Sequence, residues 1–437
     1  MRLLLPASLL CFCLSSAVAQ SAIPSAVPIA PKAPALMTPR DLSATEPLGE
    51  ELYNNSGATG MVLVVVRDNQ TYFHGYGKTA IGSQTVPTED SVVRLCSLTK
   101  TFTADVLAKL AAEGVVHLDE PLVKFAPPGI DLPKFDSPIT LEELATHTSG
   151  LTREIGTAPR RTPHFTYPDY ETRWHWLEGA ELKFTPGTQA LYSNVGFDLL
   201  SDAMASAART SYATLLETNT LKPLQMWQTT FYPSAAQCAS LLQGAHNEGP
   251  CTNTSSTEGS SGLYSTPSDM AKWLRYLVGA GTPALPAEAA GVRAYYLLPS
   301  SLTRQYGLDH AGKPTEIGLG WILLGENTDP SHIIEKTGGG AGFTTYIAIH
   351  PASHTALFVA TTDGPHGWHP GFNLFKASNN ALLALAGLPP LPQESLRRIS
   401  RRHYARTPRL VRAKQTRRAH AVRVAQQGGA SGSESEH

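Results

Sequence analysis

Apolar and polar positions change their period several times along the chain. From Met61 to Val66 runs a β-branched apolar stretch, Asp68-Asn69 supplies turn chemistry, and Thr71 to Gly77 returns, which predicts a β-hairpin. Between Ser97 and Glu113 the spacing lengthens: Phe102, Val106, Leu107 and Leu110 share one helical face, and Gly114 predicts the stop. From about Pro121 to Ala290 helical stretches alternate with loops punctuated by Pro and Gly, without sustained strand alternation. Strand-like runs resume at Gly318 to Leu324, Thr344 to His350 and Thr355 to Thr361, followed by a helix from about Phe372 to Leu385. A hairpin in front, helices in the middle and strands plus a helix at the end predict an α+β fold. One sheet is built from both ends of the chain, with a helical lobe inserted at roughly 97–290. No internal repeat is visible.

Composition sharpens the boundaries. The chain has 437 residues, 42% of them hydrophobic, enough for at least one large core. Its formal charge of -1 hides an asymmetry, because Arg397 to Arg423 holds eleven Lys or Arg and no acid, leaving an acidic body. The N-terminus has Arg2, an apolar run from Leu3 to Leu14, and Ala17-Val18-Ala19 before Gln20, the pattern of a cleaved secretory signal. Expected divisions are a signal peptide at 1–19, a flexible Ala/Pro/Ser lead-in at 20–45, a catalytic domain at 46–390 and a basic disordered tail at 391–437. Export to the periplasm is therefore expected. The tail could also rest peripherally on an anionic membrane or wall polymer, where each base contributes about 1 kcal/mol, or remain a solvated extension. No nucleic-acid partner is expected.

Three cysteines remain beyond the signal. Cys238 and Cys251 lie close together in a polar, loop-like stretch and can close a disulfide in an oxidising compartment, or stay as free thiols. Cys96, between Leu95 and Ser97, reads as a small buried hydrophobe. Fifteen histidines include no His-Glu-x-x-His or comparable spacing, so neither a metal nor a cofactor is expected, and His147 reads as structural.

The chemistry converges on Ser97-Leu98-Thr99-Lys100. Residues three apart on a helix share a face, so the lysine amine stands beside the serine hydroxyl. A hydroxyl is a weak nucleophile until a base takes its proton, and lysine can do so when desolvation or a second cation lowers its pKa. A helix N-terminus adds N–H groups where an oxyanion develops. Alone, the spacing equally fits an N-capping serine with a solvated lysine. Two further segments change that balance. Tyr192-Ser193-Asn194 offers a phenol that can relay a proton and an amide that can bond both a lysine and a substrate carbonyl. Lys336-Thr337-Gly338-Gly339-Gly340 offers charge, a hydroxyl and glycines that let a substrate backbone approach a strand edge; by itself it could be a glycine turn.

Taken in order, Ser-x-x-Lys, Tyr-x-Asn and Lys-Thr-Gly resemble the serine β-lactamase and penicillin-binding protein superfamily, in its class C-like branch. Ala145 to Leu151, Pro186 to Phe197 and Gly262 to Met270 are also similar to that branch. Ser56 to Met61 and Asp90 to Arg94 look most like its AmpH-type D-alanyl-D-alanine carboxypeptidase/endopeptidases, over about 46–390. The resemblance implies a β-lactamase/transpeptidase-like fold, an antiparallel sheet flanked by helices with the active site beside an inserted helical lobe. It implies an acyl-enzyme on Ser97, proton transfers shared by Lys100 and Tyr192, and substrate binding by Asn194, Lys336, Thr337, Gly338 and Gly339. The N–H groups of Ser97 and Gly339 would form the oxyanion hole. Implied partners are peptidoglycan peptides ending in D-Ala-D-Ala and their cross-links, with β-lactams as covalent inhibitors. A class C-like β-lactamase, an esterase and a non-catalytic penicillin-binding module share these features. Cys96, where a small residue usually precedes the nucleophile, and the arginine-rich tail depart from the pattern.

Overall fold

The computed structural model describes residues 41–246, 249–279, 302–326 and 328–391, together with the backbone of Tyr296–Leu297. The expected signal segment and the basic stretch after Leu396 lie outside the described residues. The strands are β1 (Gly60–Arg67), β2 (Gln70–Gly77), β3 (Val93–Arg94), β4 (Ala190–Leu191), β5 (Tyr264–Ser265), β6 (Tyr296–Leu297), β7 (Gln305–Tyr306), β8 (Glu316–Gly318), β9 (Ile322–Leu324), β10 (Ile333–Gly340), β11 (Phe343–His350) and β12 (Thr355–Thr362). The helices are α1 (Thr45–Ser56), α2 (Thr99–Ala112), α3 (Leu141–Ala145), α4 (Tyr170–Glu178), α5 (Asn194–Ala208), α6 (Tyr212–Leu216), α7 (Ala235–Ala239), α8 (Pro267–Leu277) and α9 (Leu374–Leu385).

Every residue of β1 is buried, because the strand is covered on both faces. Side chains alternate across a strand, so Val62, Val64 and Val66 enter one core while Met61, Leu63 and Val65 enter the other. Each such side chain contributes about 1.5–3 kcal/mol through removal from water. The first core packs β1, β11 and β12 against α2, α5 and α8; the second packs their other face against α1 and α9. Strand order in the sheet is β2-β1-β12-β11-β10-β9-β8-β6, with antiparallel neighbours throughout. Both ends of the chain therefore build one sheet, as the pattern predicts, and the helical segments lie between them in sequence.

Three elements differ from the sequence expectation. The run expected as one strand from Gly318 to Leu324 is two, β8 and β9, parted by a turn at Gly320 with φ of 73°. Gly320 donates its N–H to Ala145 O at 2.9 Å, and a Cβ there would stand 2.9 Å from the Lys100 carbonyl, so close approach to α2 favours the turn over strand continuation. The glycine segment from Lys336, expected at a strand edge just ahead of the Thr344 strand, is itself the end of a full strand, β10, since β11 supplies a ladder from Ile334↔Ile349 to Gly340↔Phe343. Helix α1 has a polar surface and only Thr45, Gly49, Leu52 and Ser56 buried, too sparse an apolar stripe to stand out in the sequence.

Candidate active site

Ser97 lies in a 3-10 turn, Cys96–Leu98, that runs directly into α2. Cys96 adopts a left-handed φ of 53° and is fully buried, with its thiol held against Arg94 O and Gly340 O. Burial pushes that thiol up to about 12, which keeps it protonated and inert beside the serine. Behind the turn, α2 is anchored by a buried Lys109–Asp105 pair at 2.6 Å, whose carboxylate also accepts from Thr220 and Tyr276 hydroxyls.

Lys100 is fully buried, and its ammonium donates to Asn194 Oδ1 at 2.6 Å and Ser260 O at 2.8 Å. Desolvation lowers its pKa to about 7, against the opposing pull of Asp198 and Glu154. An amine poised there can exist neutral near pH 7 and accept a proton.

The Tyr-x-Asn segment is placed by a helix cap. Ser193 Oγ accepts from Gly196 N at 3.0 Å, capping α5, and donates to Thr152 O at 2.8 Å. That fixes Asn194 as the first helical residue and leaves Tyr192 just outside it. Three cations surround the Tyr192 ring: Lys100 Nζ at 4.9 Å, Lys336 Nζ at 5.0 Å and the Arg153 guanidinium at 4.8 Å from its centroid. His147 stacks on it with centroids 4.5 Å apart. Burial, then Lys336, Lys100 and Arg153, hold the His147 pKa well below the usual imidazole value. The ring is therefore neutral, and its Nδ1 accepts from Ser193 N at 3.1 Å.

Strand β10 supplies the last wall. Lys336 is buried, and desolvation lowers its pKa to about 8. Two residues on, a Cβ at Gly338 would lie 2.2 Å from Thr345 Oγ1, 2.9 Å from Leu95 O and 3.2 Å from Ser97 N, so only glycine lets the strand edge reach the nucleophile turn. The structure thus gathers Ser97, Lys100, Tyr192, Asn194, Lys336 and Gly338. The Thr337 side chain alternates onto the other face of β10, away from the cluster, and Gly339 has only its backbone to offer. Cys238 and Cys251 are bonded to each other.

Several site residues escape the motif reading. Arg153 faces Tyr192, and Glu154 accepts from Asn194 Nδ2. Asp198 and Ser260 stand behind the lysine, joined at 3.0 Å through Ser260 Oγ and Asp198 Oδ2. Asp198 is detectable in principle, four residues after Asn194 on the same helical face, but it sits inside an apolar run that reads as core.

The Beta-lactamase family matches residues 45–371. The chain belongs to the Beta-lactamase family. Within this family, the chain is 40% identical over 343 residues to the D-alanyl-D-alanine-carboxypeptidase/endopeptidase AmpH of Escherichia coli K12, covering 78% of this chain and 89% of that protein. It is 38% identical to a solved Beta-lactamase/D-alanine Carboxypeptidase from Yersinia pestis in complex with citrate, with a TM-score of 0.73, over 78% of this chain and 97% of the other. A class C beta-lactamase structure at 20% identity and TM-score 0.62, over 79% and 97% of the two chains, shares the fold. The Beta-lactamase family assignment and these neighbours agree with the antiparallel sheet and flanking helices described above.

Proposed function

We propose that the protein is an exported serine DD-carboxypeptidase and DD-endopeptidase, acting in the periplasm on peptidoglycan peptides through an acyl-enzyme on Ser97. The observation that carries this reading is the fully buried Lys100 amine, brought down to about 7 and placed one helical turn from the serine. Lys100 takes the Ser97 proton as Oγ attacks the carbonyl carbon of the penultimate D-alanine. The C–N bond breaks, Tyr192 and Lys100 deliver the proton to the departing amine, and water then cleaves the ester by the reverse transfers. Asn194 orients the substrate amide, and Lys336 holds the terminal carboxylate. The Gly339 and Ser97 N–H groups receive the oxyanion. The relatives named for D-alanine carboxypeptidase activity support the substrate class.

The test is a parallel incubation of the purified protein with a D-Ala-D-Ala pentapeptide, a cross-linked wall dimer, a chromogenic cephalosporin and a short-chain ester. Released D-alanine and cleaved dimer, with slow acylation by the cephalosporin, are expected. Rapid cephalosporin turnover without peptide cleavage would make it a β-lactamase; ester turnover alone, an esterase. Covalent penicillin labelling without turnover of any substrate would leave a binding module. Ser97→Ala should abolish labelling, and labelling that survives would move the nucleophile elsewhere.

A further inference from the structure

Lys100 is fully buried, yet both groups that receive its hydrogen bonds are neutral: Asn194 Oδ1 at 2.6 Å and Ser260 O at 2.8 Å. An ammonium formed there by taking the serine proton has lost its water and needs negative charge nearby. Helix α5 brings one. Asp198 follows Asn194 by four residues, one turn along the same helical face, and is itself buried. Its Oδ2 accepts from Ser260 Oγ at 3.0 Å. Ser260 is therefore gripped twice, by the Lys100 amine at its carbonyl and by the Asp198 carboxyl at its hydroxyl. Lys100, Asn194, Asp198 and Ser260 close a ring in which the first turn of α5 spans both grips.

The other charged groups around this ring are screened, neutral or committed. Glu154 and Arg153 also act on the amine, but their side chains are 50% and 58% exposed, so water and salt weaken both. Cys96 is held protonated by burial, and the His147 ring is neutral. Lys336 meets the same Tyr192 ring as Lys100 and opposes a second charge there. On the far side of Asp198, Arg173 is committed to Asp202 through two hydrogen bonds, while Asp202 itself presses the Asp198 carboxyl toward its neutral form. Glu258, raised by burial to about 8, adds no fixed charge near neutrality. Burial brings Lys100 down to about 7 and Asp198 up to about 7, so the two groups exchange charge in the same interval.

We propose that Asp198 is a positioning residue for the general base: it holds Ser260 by the hydroxyl so that the Ser260 carbonyl meets the Lys100 amine, and it sets a buried carboxyl behind that amine. The inference rests on the Ser97 acyl-enzyme reading, in which Lys100 takes the serine proton. Asp198 touches no reacting atom and acts through Lys100 and Ser260. Its charge favours the ammonium that forms as Ser97 attacks, which makes the amine a stronger base at the cost of keeping more of it protonated in mild acid. Its hydrogen bond fixes where the amine points.

The experiment measures second-order rates of Ser97 labelling by penicillin from pH 5 to 9, read by intact-protein mass. Asp198→Asn keeps an oxygen for Ser260 Oγ and deletes the charge, so the acidic limb should move down by about one pH unit, as loss of a nearby opposite charge does. At pH 6 the variant would then retain a share of its own plateau rate about fivefold larger than wild type does. Glu154→Gln, at an exposed position, should move the limb by less. Ser260→Ala removes the hydroxyl that Asp198 holds and keeps the carbonyl; its plateau should fall about tenfold, with recovery in Ser260→Thr. An acidic limb that stays in place in Asp198→Asn, or moves equally in Glu154→Gln, overturns the proposal while leaving the Ser97 reading intact. A Ser260→Ala plateau within about twofold of wild type also overturns it, and that variant decides the matter if Asp198→Asn fails to fold. A wild-type protein that penicillin does not label removes the Ser97 reading, and the role of Asp198 with it.

Discussion

Replacing Gly338 by alanine offers a quantitative test of how the strand edge meets the nucleophile. The added Cβ would sit 2.2 Å from Thr345 Oγ1, against an ordinary contact of at least 3.4 Å. About 1.2 Å of separation must therefore be recovered. Thr345 cannot yield cheaply: it is fully buried, and its hydroxyl donates to Leu95 O at 2.9 Å, a bond worth about 1 kcal/mol net. Rotating it would also leave the Leu95 carbonyl at 2.9 Å and the Ser97 nitrogen at 3.2 Å, both backbone atoms. The strand must then withdraw from the serine turn, with a destabilisation of about 1–3 kcal/mol typical of overpacking. A displacement approaching 1 Å at reacting atoms costs about a hundredfold in rate, and a partial one about tenfold. Denaturant unfolding and the rate of penicillin labelling measure the two effects separately. Adding Thr345→Ala should recover part of the stability but little of the rate, because the two backbone contacts persist. Labelling of Gly338→Ala within about twofold of wild type would refute the proposed role of this close approach.

Other outcomes follow from the same geometry. Lys100 must be neutral to act as base, so kcat/KM for peptide should rise as pH climbs through about 7. Lys336 must stay charged to hold a carboxylate, so it should fall again above about 8, and a profile flat across that interval would contradict these roles. Lys100→Met keeps an apolar filling for the buried site and should lower penicillin labelling by about 10²–10⁴-fold, with circular dichroism unchanged. The Cys238–Cys251 bond spans a separation of 13 residues, so Cys238→Ser with Cys251→Ser should cost about 3 kcal/mol in denaturant unfolding. An unchanged midpoint would show that the loop is held by other contacts, such as that of Arg94 Nη2 with Pro250 O.

The hairpin, α2, the last two strands and α9 were legible because each writes one clean period: two for the β-branched run at 61–66, 3.6 for the face of Phe102 to Leu110. β10 was not, since its last three residues are glycines, which lower strand propensity while serving close approach. Ser97 and Lys100 could be paired from spacing alone, because three residues on a helix is a local relation. The convergence of Tyr192 and Lys336 on one ring system could be expected only from the order of the motifs. Their contact spans 144 residues and depends on tertiary packing. Asp198 was hidden by its apolar surroundings, Ser260 by a polar Ser/Thr/Gly run that reads as loop, and Arg153 and Glu154 by an exposed loop with no periodic signature.

Because β1 lies between β2 and β12, the sheet joins segments almost three hundred positions apart in the chain. Loop-closure entropy must be overcome before those pairings return any energy, so the order of assembly is constrained. Lys100 and Asn194 can meet while the later third of the polypeptide is still being made, but the edge carrying Lys336 and Gly338 arrives only with its ladder to β11. A chain cut short before Ile333 would thus hold a serine and a lysine without the wall that receives a substrate, and competence would come last, in the same step that closes the sheet.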